Sequence, residues 1–162
     1  MANAIYVHPC DLRRRISLLE PVELGRREDL AVHLRSPQIE SRSTAGDLGR
    51  VAFWFDSQLR PVPHDVNWSA TELLLAAGDF HARSVPLLRG RIVLTSFDSN
   101  GGLAGLTGQQ IRQMVLHPDR CGGRWILHWR YALDAGAQRR RRKAHRMAQL
   151  GAFGDTLPDS QR

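Results

Sequence analysis

Lysine is nearly missing from this chain, with Lys143 standing alone beside 22 arginines. The skew fits a GC-rich coding genome better than a physical demand for guanidinium, so arginine abundance by itself carries little functional weight. Cysteine is scarce too. Cys10 and Cys121 allow at most one intramolecular disulfide, and a 162-residue chain has no need of such a staple. Two free thiols are the expectation. No apolar run approaches the roughly 18 residues of a membrane span. Residues Met1 to Asp11 also lack the regions of a signal peptide. The chain is therefore read as cytoplasmic, with no membrane partner.

Catalytic signatures are lacking as well. There is no G-x-S-x-G, and the serines, histidines and aspartates follow no triad pattern. Gly102-x-x-Gly105-x-x-Gly108 precedes a helix start, where backbone N–H groups can hold phosphate, but its spacing fits neither the P-loop nor the dinucleotide fingerprint. Asp98-Ser99-Asn100 opens like a calcium loop, yet Leu103 and Gln109 stand where the sixth-position glycine and twelfth-position glutamate are required. His8-Pro9-Cys10 and the segment His117 to Cys121, with His128 nearby, offer zinc donors in no closed zinc spacing. No catalytic residue, metal or cofactor is expected. An enzyme acting on a nucleotide or phosphorylated ligand ranks behind the binding readings developed below.

What is present suffices for a folded body. With 42% hydrophobic and 24% charged residues the composition is that of an ordinary globular protein, and the length suits one core. The net charge of +7 is not spread evenly. From Arg120 to Arg146 nine basic residues face one acid, Asp134, while the rest of the chain carries fourteen basic and fifteen acidic groups. A near-neutral body thus bears a basic arm, which can seek anions locally. The chain divides on this reading into a globular domain over 1–118, an aromatic extension over 119–136, and a basic helical arm with a disordered tail over 137–162.

Short β-branched stretches at Asn3 to His8 and Ile16 to Glu20, each closed by a proline, predict two strands. Arg27 to Leu34 places Leu30 and Leu34 at helical spacing behind Glu28 and Asp29, which suit a first turn. Gln38 to Thr44 and Arg50 to Asp56 read as strands, the latter bringing Phe53, Trp54 and Phe55 to a core sheet. Ser69 and Glu72 form an S-x-x-E capping box, predicting a helix from near Trp68 to near Gly78. Leu87 to Phe97 reads as a strand entered through a glycine turn, and Asp98 to Gly102 as a turn. Thr107 and Gln110 make a second capping box for a helix over Gly108 to Leu116, stopped by Pro118. The interleaving predicts an α+β fold: a small mixed or antiparallel sheet, two to three short helices and a basic C-terminal helix or arm.

From Arg124 two periods coincide. Trp125, Leu127, Trp129, Tyr131 and Leu133 alternate as a strand would, while Trp125, Trp129 and Leu133 also fall on one helical face. Ala137 to Leu150, free of proline and glycine, predicts a helix, with a disordered tail from Gly151. Its run Arg139, Arg140, Arg141, Arg142 and Lys143, succeeded by His145 and Arg146 and preceded by Arg130, is the candidate nucleic-acid contact, because clustered cations neutralise phosphates and release counterions. A solvated helix end is the plainer reading. Trp125, Trp129 and Tyr131 could stack on bases, but burial in a core is the expectation for large aromatics at regular spacing.

The middle of the chain carries a recurring set of local motifs. A strand ends in an acidic turn at Phe53-Trp54-Phe55-Asp56, and Pro61-Val62-Pro63 leads to a helix opened at Asn67-Trp68-Ser69-Ala70. Then come Gly90-Arg91-Ile92-Val93-Leu94-Thr95, Asp98, and Leu106-Thr107 running to Ile111. In these residues the chain resembles domain of unknown function three-eight-four-six, a small family of bacteriophages and mobile plasmids of high-GC bacteria. The resemblance spans about Ala4 to Val115; His64-Asp65 lengthens the proline-to-asparagine step, and everything after Pro118 lies outside it. It implies a mobile-element accessory protein and transfers no catalytic residues. The expected function is a non-catalytic accessory protein whose body docks a host or phage protein and whose arm contacts DNA or RNA. The alternative is a protein-binding inhibitor of a host enzyme with no nucleic-acid role.

Overall fold

In a computed structural model the described residues are 2–8, 19–46, 49–57, 66–116 and 123–154. Strand β1 (Ala2–Val7) pairs antiparallel with β2 (Leu19–Leu24) on one side and β5 (Ile92–Phe97) on the other. Next to β5 lies β4 (Gly49–Asp56), then β3 (Ile39–Gly46), so the order is β2-β1-β5-β4-β3. The two-residue strand β6 (Leu103–Ala104) pairs with the end of β5 beyond β1. The fold is α+β, with a fully antiparallel six-stranded sheet and four helices among the described residues.

The strands place alternate side chains on opposite faces. One face gathers Ala4, Tyr6, Leu24, Ala52, Trp54 and Val93 beneath Leu30 and Leu34 of helix α1 (Glu28–Leu34). Val7, Val51, Phe53, Ile92 and Leu94, all fully buried, occupy the intervening positions and build the other face. There helix α2 (Trp68–Ala77) runs near β3 and helix α3 (Gly108–Leu116). Trp54 sits in the first layer with its indole N–H donated to Thr95 Oγ1 at 2.8 Å, which satisfies the one polar atom that so large an apolar group buries.

Several elements differ in detail from the sequence expectation. Pro21 does not close β2 but lies inside it, opposite Ile5. β2 is an edge strand, where a residue lacking an N–H costs no ladder bond on the outer side. Leu87 to Gly90 stays outside β5: it meets the body through a bridge between Val66 and Arg89 and through hydrogen bonds of Leu88 and Gly90, and Gly90 has φ 69°, which ends strand geometry there. The start of α2 is set by Asn67 rather than by Ser69 and Glu72: its Oδ1 accepts the Ala70 N–H at 3.0 Å. The Asn67 amide nitrogen meanwhile donates to the carbonyls of Val7, His8 and Gly90 at 3.3, 3.2 and 2.8 Å. One buried side chain thereby ties together the end of β1, the approach to β5 and a helix start. The Thr107–Gln110 box forms as expected: the Thr107 N–H donates to Gln110 Oε1 at 2.8 Å, and the Gln110 N–H to Thr107 Oγ1 at 3.1 Å.

Residues 124–133 are helical. They open α4 (Arg124–Gly154), 31 residues long, roughly 46 Å at 1.5 Å per residue. Because α4 continues through Gly151 to Gly154, the expected disordered tail does not begin at Gly151. The chain divides into two compact units, residues 1–127 and 128–162, so the first turn of α4 belongs to the first unit and the remainder to the second. No helix among the described residues is long and apolar enough to cross a membrane. Cys10, His117, Pro118 and Cys121 lie outside the described residues, as does the proline segment at 61–63.

Candidate nucleic-acid interface

The alternation of Trp125 to Leu133 fits a strand and a helix equally over nine residues, and the helix wins because the segment C-terminal to it is helical. Ala137, Gln138, Arg139 to Lys143 and Ala144 are good helix formers without β-branching. A helix once nucleated extends at little cost through such a segment. The Gly123 carbonyl accepts the N–H groups of Ile126 and Leu127 at 2.8 and 3.1 Å and anchors the first turn.

The helix sorts its side chains sharply. Leu127, Tyr131 and Gln138 are buried and lie at i, i+4 and i+11, along one side. Trp125, Trp129 and Leu133 run along the opposite side and are 68%, 59% and 53% exposed. The core-packing expectation thus holds for Tyr131 and fails for both tryptophans. Their spacing is that of a buried stripe, but the helix buries the side half a turn away. Large apolar groups this open to water are unusual on a soluble surface and mark contact sites when contiguous.

Beyond Gln138 every side chain from Arg139 to Gln149 is exposed. Arg139, Arg142, Lys143 and Arg146 fall at i, i+3, i+4 and i+7 and form one basic stripe, with Arg140 and Arg141 on its flanks. No acid occurs between Asp134 and the end of α4. Asp134 itself accepts the Gln138 amide at 2.8 Å. Among the described residues no ion pair holds Arg139, Arg140, Arg141, Lys143 or Arg146, and Arg142 makes a contact of its own within the protein. Arg130 stands apart: it is half-buried and already engaged. The structure therefore brings six of the seven sequence-predicted residues onto one open helical segment and leaves Arg130 outside it.

This charge pattern costs the helix. Like charges at i, i+3 and i, i+4 destabilise by roughly 0.2–0.5 kcal/mol each, and the stripe contains four such pairs: 139 with 142, 139 with 143, 142 with 146, and 143 with 146. The repulsion is removed when a polyanion lies along the stripe.

Other sequence candidates are used up locally. In the glycine loop the Gly102 N–H donates to Asp98, the Leu106 N–H to the Asn3 carbonyl and the Thr107 N–H to Gln110. At Gly105 a Cβ would stand 2.7 Å from the Asn3 backbone nitrogen, so this glycine serves strand packing and not phosphate. His8 meets Glu20 at 2.9 Å across the β1–β2 pair, and His128 packs edge-on against Tyr131 at 6.0 Å between ring centres. No family model, curated protein or solved structure matches the chain.

Proposed function

We propose that this is a non-catalytic accessory protein, of the kind carried by phages and plasmids, that contacts nucleic acid through α4 while its α+β body docks a protein partner. The observation carrying the nucleic-acid contact is the stripe Arg139, Arg142, Lys143 and Arg146, flanked by Arg140 and Arg141, on a helix segment exposed throughout and free of acids. Such a stripe recognises phosphate without reading sequence. Trp129, and Trp125 in the first turn of the same helix, add flat faces on which unpaired bases can stack. Single strands are accordingly preferred over duplex. The mobile-element setting is supported by the motif resemblance between Ala4 and Val115.

The test is a salt series of binding to short single- and double-stranded DNA and RNA, with the full-length chain and a variant combining Arg139→Gln, Arg140→Gln, Arg141→Gln and Arg142→Gln. The unaltered protein should show a steep fall of log affinity with log salt, at roughly 0.7 per neutralised phosphate on single strands, and the variant should lose about three such contacts. Equal slopes for both proteins would refute the assignment. The exposed Trp125, Trp129 and Leu133 also suit a protein partner, since buried tryptophans dominate many interfaces. That second reading, an inhibitor of a host enzyme, would be favoured by a stoichiometric complex insensitive to nuclease and abolished by Trp129→Ala.

A further inference from the structure

Among the described residues the face of the sheet beneath α1 is incompletely roofed. Seven helical residues extend about 10 Å, whereas five strands spaced about 4.8 Å apart spread over roughly 19 Å. Where α1 does not reach, between the loop ahead of it and the β5–β6 turn, a cavity of about 560 Å³ opens, lined chiefly by Leu24, Trp54, Phe97, Leu103, Arg26 and Arg27. Its volume falls in the roughly 300–1,000 Å³ range of small-molecule sites. Apolar walls with a few fixed polar groups are the composition such sites share.

The charged residues of its lining are Arg26 and Arg27. Arg27 lies over the Trp54 ring at 5.2 Å, and Arg50, which is not itself part of the lining, lies over the Phe97 ring at 4.7 Å. An arginine stacked on an aromatic face is held in place while its in-plane N–H donors stay available for a bidentate anion. Two acids adjoin the lining, and each holds a pair of backbone N–H groups through one carboxylate oxygen, Oδ2 of Asp29 and Oδ1 of Asp98. Asp29 accepts the N–H groups of Gly25 and Arg26 at 2.7 and 2.8 Å, and Asp98 accepts those of Asn100 and Gly102 at 2.9 and 2.7 Å. Among the described residues no ion pair occupies Arg26, Arg27 or Arg50.

We propose that this cavity binds a nucleoside monophosphate, either free or as the 5′-phosphorylated end of a strand, with the phosphate at Arg26 and Arg27 and the base against the apolar wall. No residue of α4 lines it, so the site stands or falls independently of the basic stripe. Thermal-shift and ¹H–¹⁵N NMR titrations of the full-length chain with AMP, CMP, GMP and UMP test it, with adenosine and inorganic phosphate as half-ligands. A nucleotide should raise the melting temperature and move the amides of Arg27, Gly101, Gly102 and Leu103. Each half-ligand should bind at least about tenfold more weakly. Arg26→Gln and Arg27→Gln should each weaken AMP by about tenfold, while the combined Arg139–Arg142 variant should bind AMP unchanged. A 5′-phosphorylated trinucleotide tighter than AMP assigns the strand end as the ligand; equal affinity assigns the free nucleotide. Absence of any shift at millimolar nucleotide, shifts confined to Arg139–Arg146, or AMP affinity indifferent to Arg27→Gln in a folded variant would each overturn the proposal. Should a variant fail to fold, the amide map of the unaltered protein decides.

Discussion

The body and the far half of α4 are built on opposite terms. In the sheet, Phe53, Val51, Leu94 and their neighbours have no exposure at all, and even polar side chains such as Asn67, Thr71 and Thr95 are sealed and hydrogen-bonded. From Arg139 to Gln149 no side chain is buried, and like charges are stacked on like. One region minimises its own free energy, while the other is held in a state that a partner of opposite sign improves. Segregation of this kind lets an interaction surface change without disturbing the core.

The largest effect that would sharpen the contrast is at the centre of the sheet. Phe53→Ala should cost about 3–5 kcal/mol in urea unfolding, whereas Met147→Ala on exposed α4 should stay within about 0.5 kcal/mol. Next comes Asn67→Ala, which removes a helix cap and orphans the carbonyls of Val7, His8 and Gly90. A loss of about 2–4 kcal/mol is expected by the same measurement. The combined Arg139–Arg142 change to glutamine runs the other way: it deletes four like-charge pairs, 139 with 142, 139 with 143, 140 with 143 and 142 with 146, and should stabilise α4 by about 1 kcal/mol at low salt, seen as higher helicity by circular dichroism. A loss of helicity would mean that the cations hold the helix together, and the contrast would fail.

The smallest effect depends on pH. The N–H groups of Arg26 and Gly25 hold the Asp29 carboxyl below the usual carboxylate range. A carboxyl with a depressed folded-state pKa contributes stability that is present above its unfolded pKa and lost as pH falls through the folded one. Asp29→Asn should therefore lower the melting temperature slightly at neutral pH. The difference from the unaltered protein should close in strong acid, below the folded-state pKa of Asp29. A difference that persists there would make the role of Asp29 purely geometric.

Much of the body was readable in the residues because its signals are local. The Thr107–Gln110 box, the apolar run of β4 and the acidic first turn of α1 each lie within a few positions of what they specify. Pro21 within β2 was not readable, since an edge position depends on which strands lie further along the sheet. Ser69 and Glu72 matched a capping pattern, yet Asn67, where the motif resemblance opens the helix, caps it, and its amide also reaches three carbonyls, two of them 59 and 60 residues away in sequence. The basic run was visible at once, as charge needs no partner to be counted. The exposure of Trp125 and Trp129 was hidden, because helical spacing tells which residues share a face but not which face is covered. Arg27 on Trp54 and Arg50 on Phe97 are pairs made by the fold, and no local motif announces them.

Pro21 has a further consequence at the sheet's margin. β2 and β3 are the outermost strands, and an outermost strand is a template on which a stranger's strand can grow. On β2 the proline withholds a donor. On β3 the run Glu40, Ser41, Arg42 and Ser43 is exposed and polar, with opposite charges two residues apart, which makes a poor seam for an apolar newcomer. Among the described residues both borders of the sheet thus make poor templates for an added strand.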